Sequence, residues 1–381
     1  MAQPTWGMLA KSQTDPKTIE ERIAEMIAEH NNDEEAHLGP GQSLQSHKAS
    51  EIIDHLASSI VNDKLEYIIR SYNAVVASSG GDYDNIQDAI DYVSSQGGGN
   101  ILIAPGTFTL SADLILKNNV SLYGSGEKFS FINCNGHRIV TSCSLDESDP
   151  NWEEETLNVT FKDLGVYGGA DEMVYAQGSI QFIDCLFYGV VGTLVTDLGG
   201  GNRFINCSFS QTSAWFNSYK NYDYYGIKGT DGVSSYIANC SFDNMAKAIS
   251  VGEKAIVTCN KIHTCKYGII INYPGSVING NNIVNAKGYG VHIDANLAIV
   301  SANFIMGDEN FGQYASGDGV YVNGGDNCII TSNRVYSFQY GVRLAAYSDR
   351  NLVVANILTS NAAGATINAG TNNLLQNNIT S

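Results

Sequence analysis

A six-residue pattern, apolar–x–x–turn residue–x–apolar, recurs from residue 161 onward and constrains the fold more than any other feature of the chain. It reads FKDLGV at 161, FIDCLF at 182, FINCSF at 204, IANCSF at 237 and VTCNKI at 257. It continues as INGNNI at 278, VSANFI at 300, ITSNRV at 330, VVANIL at 353 and LLQNNI at 374. Successive copies are 21, 22, 33, 20, 21, 22, 30, 23 and 21 residues apart. Downstream of the motifs a small residue opens a second short strand, as in AISVG at 248, GIIIN at 268, GVHID at 290, GVYVN at 319, GVRLA at 341 and GATIN at 364. Two strand signals in constant order, with no helix-sized apolar stripe between them, describe one coil of a solenoid.

One coil cannot bury its apolar face alone, so equivalent positions must stack on neighbouring coils about 4.8 Å apart. The pattern therefore predicts an all-β, right-handed, single-stranded parallel β-helix of about 21–23 residues per coil across residues 81–381, with motif positions one, four and six pointing inward. Position four runs Leu164, Cys185, Cys207, Cys240, Asn260, Asn281, Asn303, Asn333, Asn356 and Asn377. Asparagines stacked at a turn can bond amide to amide, satisfying groups that would otherwise be buried unpaired.

Composition narrows the function. The formal charge of −18 argues against nucleic acid or an anionic membrane as partner. No run approaches the roughly 18 apolar residues of a membrane span. None of the eight cysteines has CxxC spacing, and Cys185, Cys207 and Cys240 read as buried free thiols. With no secretory leader pattern in residues 1–10, this predicts folding in a reducing cytoplasm.

The stretch from Tyr83 to Gly126, YDNIQDAIDYVSSQGGGNILIAPGTFTLSADLILKNNVSLYGSG, resembles the opening of pectate-lyase-like β-helix proteins. The resemblance implies an amphipathic helix (Ile86, Ala89, Ile90, Val93) capping the first coil, then the glycine turn Gly97–Gly99, the strand Ile101–Ile103 and the turn Pro105–Phe108. It is specific for fold and nearly silent on activity, because the fold hosts lyases, hydrolases, epimerases and inert fibres.

Residues 1–80 differ in kind. Ile19, Ile23, Met26 and His30 follow the 4–3–4 spacing of a coiled-coil seam, and Ile53, Leu56, Ile60, Ile68 and Ile69 suggest further helix. EEAHLGPGQSLQSHKASEIIDH (34–55) resembles linker near the virion-attached end of bacteriophage tail and fibre proteins. The resemblance implies a homotrimeric spike or fibre. It would be anchored to other virion proteins through residues 1–80, located on the virion and folded in the host cytoplasm. His30, His37, His47 and His55 could meet at a trimer axis, but no metal or cofactor is assigned to them.

Two insertions leave the helix at the same turn, four coils or about 19 Å apart. The first (211–225) carries Trp215, Tyr219, Tyr222 and Tyr224, and the second (306–318) carries Asp308, Glu309, Tyr314 and Asp318. Aromatic faces cover sugar rings and acids bond hydroxyls, so these residues are candidates for binding a host surface polysaccharide; packing against a neighbouring subunit is equally open. Candidate catalytic residues are His292, Tyr321 and Arg343, outward on three successive coils, and the carboxylate pair Asp294 and Asp318. The first set suits elimination from a uronic acid and the pair suits hydrolysis. The motifs of polygalacturonases, pectate lyases and alginate epimerases are absent. The expectation is a structural spike that binds glycan, with a polysaccharide depolymerase as the alternative.

Overall fold

The computed structural model describes residues 72–141, 158–169, 171–189, 192–199, 201–211, 224–230, 232, 234–308 and 317–380. The seam and linker expected in residues 1–71 lie outside them, as do Trp215, Tyr219, Tyr222, Glu309 and Tyr314.

The described chain is a parallel β-helix. One 13-stranded sheet takes one strand from each coil, and a 21-stranded sheet takes the other two arms. The pairings are parallel and in register: Phe161 faces Phe182, Phe182 faces Phe204, Phe204 faces Ile237, and Ile237 faces Val257. Short crossovers between parallel strands of one sheet give the right-handed course. The first strand, Ala74–Val76, pairs with Gly99–Ile103 and so begins the sheet upstream of residue 81.

Helix α1 (Ile86–Ser95) closes the N-terminal end. The Asn85 side chain caps it by accepting from the backbone N–H groups of Gln87 and Asp88. Its buried residues are Ile86, Ala89, Ile90 and Val93, the set the amphipathic pattern named. Gln87 accepts from the Ile115 N–H at 2.8 Å, tying the helix to a strand that would otherwise fray.

Position three of the motif explains the inward turn at position four. Asp163, Asp184, Asn206, Asn239, Cys259, Gly280, Ala302, Ser332, Ala355 and Asn377 all have φ between 53 and 67. A single left-handed residue bends the strand between the two sheets and aims the next side chain into the core. Asn, Asp and Gly accept this readily, whereas Ala302, Ser332 and Ala355 are held there by the stacked coils.

Positions one, four and six are buried from Phe161 to Leu358. Phe182 stacks on Phe204 at 5.0 Å, and Phe209 on Phe242 at 4.6 Å. The thiols of Cys185, Cys207 and Cys240 are free and buried. They donate to the carbonyls of Phe161, Phe182 and Phe204, the position-one carbonyls of the preceding coils. From Asn260 onward the asparagine amides take over that same bond, beginning with the Ile237 carbonyl at 3.0 Å. Cysteine and asparagine thus occupy one column of donors.

The last copy needs correction. Val353 pairs with Leu375, not Leu374, and the Asn356 amide bonds Asn378, not Asn377. The motif therefore starts at 375, and Leu374 and Ile379 are exposed. Two leucines followed by two asparagines fit the pattern in either frame, and a slip of one residue exchanges the faces of a strand.

Candidate functional site

The outward face of the larger sheet carries a continuous column of rings and cations beside the turn where both insertions are rooted. In-register pairing sets Ser250 beside Ile270, Ile270 beside His292, His292 beside Tyr321, and Tyr321 beside Arg343. Ser250 and Ile270 are covered by their neighbours, while His292, Tyr321 and Arg343 reach the surface in part.

One position upstream of the small residue that opens each strand, tyrosines recur: Tyr225, Tyr267, Tyr289 and Tyr340. Tyr267 stacks on Tyr289 at 5.6 Å, and Tyr289 on Tyr321 at 4.9 Å. The His292 ring lies 5.0 Å from Tyr289 and 5.1 Å from Tyr321. At one end the Lys247 ammonium sits 4.8 Å from the Tyr225 ring centroid, and at the other the Arg343 guanidinium lies 5.0 Å from Tyr340. These contacts are cation–π pairs. Sequence reasoning reached His292, Tyr321 and Arg343, and Tyr225 as the last residue of the first insertion, but missed Lys247, Tyr267, Tyr289 and Tyr340. The signal was present as the dipeptide Tyr–Gly at 225, 267, 289 and 340.

Charge is arranged around this column. His292 Nε2 approaches Asp294 Oδ1 at 3.2 Å, and Asn323 donates to the same oxygen at 2.8 Å. Burial pushes the Asp294 carboxyl up, but the His292 and Asn323 contacts outweigh it and hold the group below its ordinary value. Arg343 Nε approaches Asp318 Oδ2 at 3.1 Å. Asp318 is nearly inaccessible, and burial raises its pKa against the opposing pull of Arg343 and of the Tyr340 N–H. Burial likewise raises the Tyr289 hydroxyl. The His292 Nε2 and Arg343 Nε atoms are buried against these carboxylates, their ion-pair partners.

The carboxylate pair does not come together. Asp318 aligns with Tyr289 at the start of the strand register, whereas Asp294 follows its end, a separation of roughly 15 Å along the strand. The two carboxylates are held by different partners, Asp318 by Arg343 and Asp294 by His292 and Asn323. Asp308 is buried, with Lys287 Nζ at 4.0 Å, and Tyr224 is half-buried at the root of the first insertion.

The fold defines the class: this is a parallel β-helix protein. Among solved structures it is similar to the tailspike protein of E. coli bacteriophage HK620. A double mutant of that protein matches with a TM-score of 0.58 at 16% identity, covering 78% of this chain and 62% of the tailspike. A mutant in complex with a pentasaccharide matches with a TM-score of 0.55 at 15% identity, covering 93% of this chain and 71% of that one. The A-module of mannuronan C-5 epimerase from Azotobacter vinelandii matches at 0.48 and 15% identity, over 82% of this chain and 96% of that module. At these identities the likeness is one of fold. No protein-family model and no curated protein matches the sequence.

Proposed function

We propose that this chain is a spike or fibre protein that binds a surface polysaccharide along the tyrosine column of its larger sheet. The observation that carries the reading is the run of stacked, partly exposed rings formed by Tyr267, Tyr289, His292 and Tyr321. The partly exposed His292, Tyr321 and Arg343 side chains bring polar groups within reach of sugar hydroxyls. The stacked faces of Tyr267, Tyr289 and Tyr321 supply the apolar platform beside them. Virion attachment through residues 1–80 and a homotrimeric state complete the proposal; they rest on the linker and seam patterns of that segment.

A second reading, elimination from a uronic acid, is favoured by the meeting of His292, Tyr321 and Arg343 on adjacent coils. In it His292 or Tyr321 takes the C5 proton, Arg343 offsets the charge of the sugar carboxylate, and the C4–O glycosidic bond breaks as the C4–C5 double bond forms, with water protonating the departing oxygen. Incubating the full-length protein with a panel of capsule and wall polysaccharides separates the two. Saturable binding without new unsaturated or reducing ends supports the first, unsaturated ends support the second, and neither binding nor products defeats both.

A further inference from the structure

One amide joins the rings of the larger sheet to its acids. Asn323 Oδ1 accepts from the Tyr321 hydroxyl at 3.1 Å, and Asn323 Nδ2 donates to Asp294 Oδ1 at 2.8 Å. Asp294 is also the partner of His292. The residue after Asn323 is Gly324, and both are exposed. Gly324 has a φ of 84, and no atom lies within 4 Å of the place a Cβ would take. Without a side chain, glycine lets its backbone nitrogen close on the preceding amide carbon with the least hindrance of any residue. Its N–H donates to Ser348 Oγ at 2.9 Å, and Ser348 donates in turn to the Val322 carbonyl at 3.0 Å. The chain has two other Asn–Gly pairs, at 135–136 and 279–280. There the glycine N–H groups are held by main-chain carbonyls of the next coil, Gly168 at 2.7 Å and Ser301 at 3.2 Å. The Asn135 amide donates to the Leu110 carbonyl and the Asn279 amide to Ser301. Among the described residues, neither asparagine has a hydroxyl on Oδ1 or a carboxylate at Nδ2.

We propose that Asn323 is a self-modification site, converted by its own surroundings to aspartate and isoaspartate through a cyclic imide with Gly324. The Gly324 nitrogen bonds to Asn323 Cγ and gives up its proton, the Cγ–Nδ2 bond breaks, and the amide nitrogen leaves with that proton as ammonia. Water then opens the ring at either carbonyl, so the net change is one water taken up and one ammonia released. The surroundings favour each step. The Tyr321 hydroxyl already sits on the oxygen that gains negative charge as the nitrogen adds, the role of an oxyanion donor. The Asp294 carboxylate touches the leaving nitrogen, where it relays the proton to it. The Ser348 oxygen takes up the positive charge that builds on the attacking nitrogen. The product carboxylate stands where the amide donated to Asp294, so two like charges replace a hydrogen bond and the link from Tyr321 to the Asp294–His292 pair is cut. The face thus becomes more acidic with age. Its effect on ligand rests on the glycan reading above, whereas the modification itself does not.

The test uses the full-length protein without ligand, aged at mildly alkaline pH, digested and read by tandem mass spectrometry. The native protein should gain one mass unit at Asn323 ahead of Asn135 and Asn279, with isoaspartate at 323 revealed by enzymatic methyl labelling. In urea the lead of Asn323 should vanish, because unfolding removes its partners and leaves three equivalent Asn–Gly pairs. Tyr321→Phe, checked for folding by circular dichroism, should slow the conversion about two- to tenfold, the value of one neutral hydrogen bond. Should that variant misfold, Asp294→Asn gives the same reading by removing the carboxylate from the leaving nitrogen. Conversion of Asn323 no faster than the other two in the native protein overturns the proposal. A lead that persists in urea, or an unchanged rate in the folded variant, overturns it as well. Asn323→Asp, the product made directly, should bind polysaccharide more weakly than wild type. Polysaccharide that never binds defeats the glycan reading and leaves the modification standing; absent conversion does the reverse.

Discussion

Asn333 Oδ1 accepts two hydrogen bonds from Asn303, one from the backbone N–H and one from the side-chain amide, each at 3.0 Å. Asn281 bonds Asn303 in the same way, and Asn333 bonds Asn356. Every rung thus satisfies a buried backbone donor that the left-handed corner removes from the sheet ladder. Asn303→Ala leaves the Asn281 backbone N–H and the Ile278 carbonyl without these partners. The expected cost is about 2–4 kcal/mol, read as a lower melting temperature. A change within the range of a surface substitution would show that the column does not stabilise the coils.

A second expectation concerns pH. Asp197 is fully buried between coils, where it accepts from the Asn202 amide and the Ser235 hydroxyl. Burial raises its pKa from 3.8 to about 6, against the pull of those donors. A carboxyl whose folded pKa is raised binds its proton more tightly in the folded state. Its contribution to stability is therefore full below about pH 4 and is lost as pH rises through 6. The loss amounts to about 3 kcal/mol. Asp197→Asn should flatten the melting temperature between pH 4.5 and 7.5; an unchanged slope would assign that pH dependence to other groups.

Thiol reactivity offers a third check. Among the described cysteines Cys259 alone is exposed, because it stands at position three, the corner residue. Burial pushes Cys134 and Cys265 up to about 12. At pH 8 a thiol with that pKa is ionised at only about one part in 10⁴, and only the thiolate attacks a disulfide reagent. Cys259→Ser should remove one rapidly reacting equivalent from the native protein. Retention of that equivalent would mean the corner is not on the surface.

The architecture was legible because a stacked solenoid repeats its constraints. Phe161, Phe182 and Phe204 are each ambiguous alone, but one spacing and one order leave a single frame. The frame failed at Leu374. The residue before position one is itself apolar in six copies, from Ile256 to Leu374, so the motif's edge is soft wherever its outer face is apolar. The site was half legible. Counting outward positions from the small residue found His292, Tyr321 and Arg343. Tyr267 and Tyr289 fall just before that residue, outside the positions the count covered, and stacking across coils brings their rings together with His292. The separation of Asp294 from Asp318 was hidden too, since the 306–318 insertion obscures which end of the strand Asp318 meets.

The last prediction tests the face itself. Tyr289 lies between Tyr267, His292 and Tyr321, so removing its ring takes the middle out of the platform. By analogy with rings that stack on nucleic-acid bases, Tyr289→Ala should weaken glycan binding by about 1–3 kcal/mol. Because the ring packs on three others, the melting temperature should fall modestly, and binding is read at a temperature where the variant is folded. His292→Ala then distinguishes binding from catalysis. It removes the His292 contact that lowers the Asp294 pKa, while Tyr321 and Arg343 stay in register. A binding face should lose affinity by a similar modest factor and show no product before or after the change. An elimination site that uses this imidazole as base should instead lose turnover by about 10²-fold or more at little cost in affinity. Isothermal titration with the polysaccharide, read beside absorbance of unsaturated ends, measures both quantities on one preparation. Full affinity in Tyr289→Ala would remove the tyrosine column from the binding site, whatever His292→Ala does.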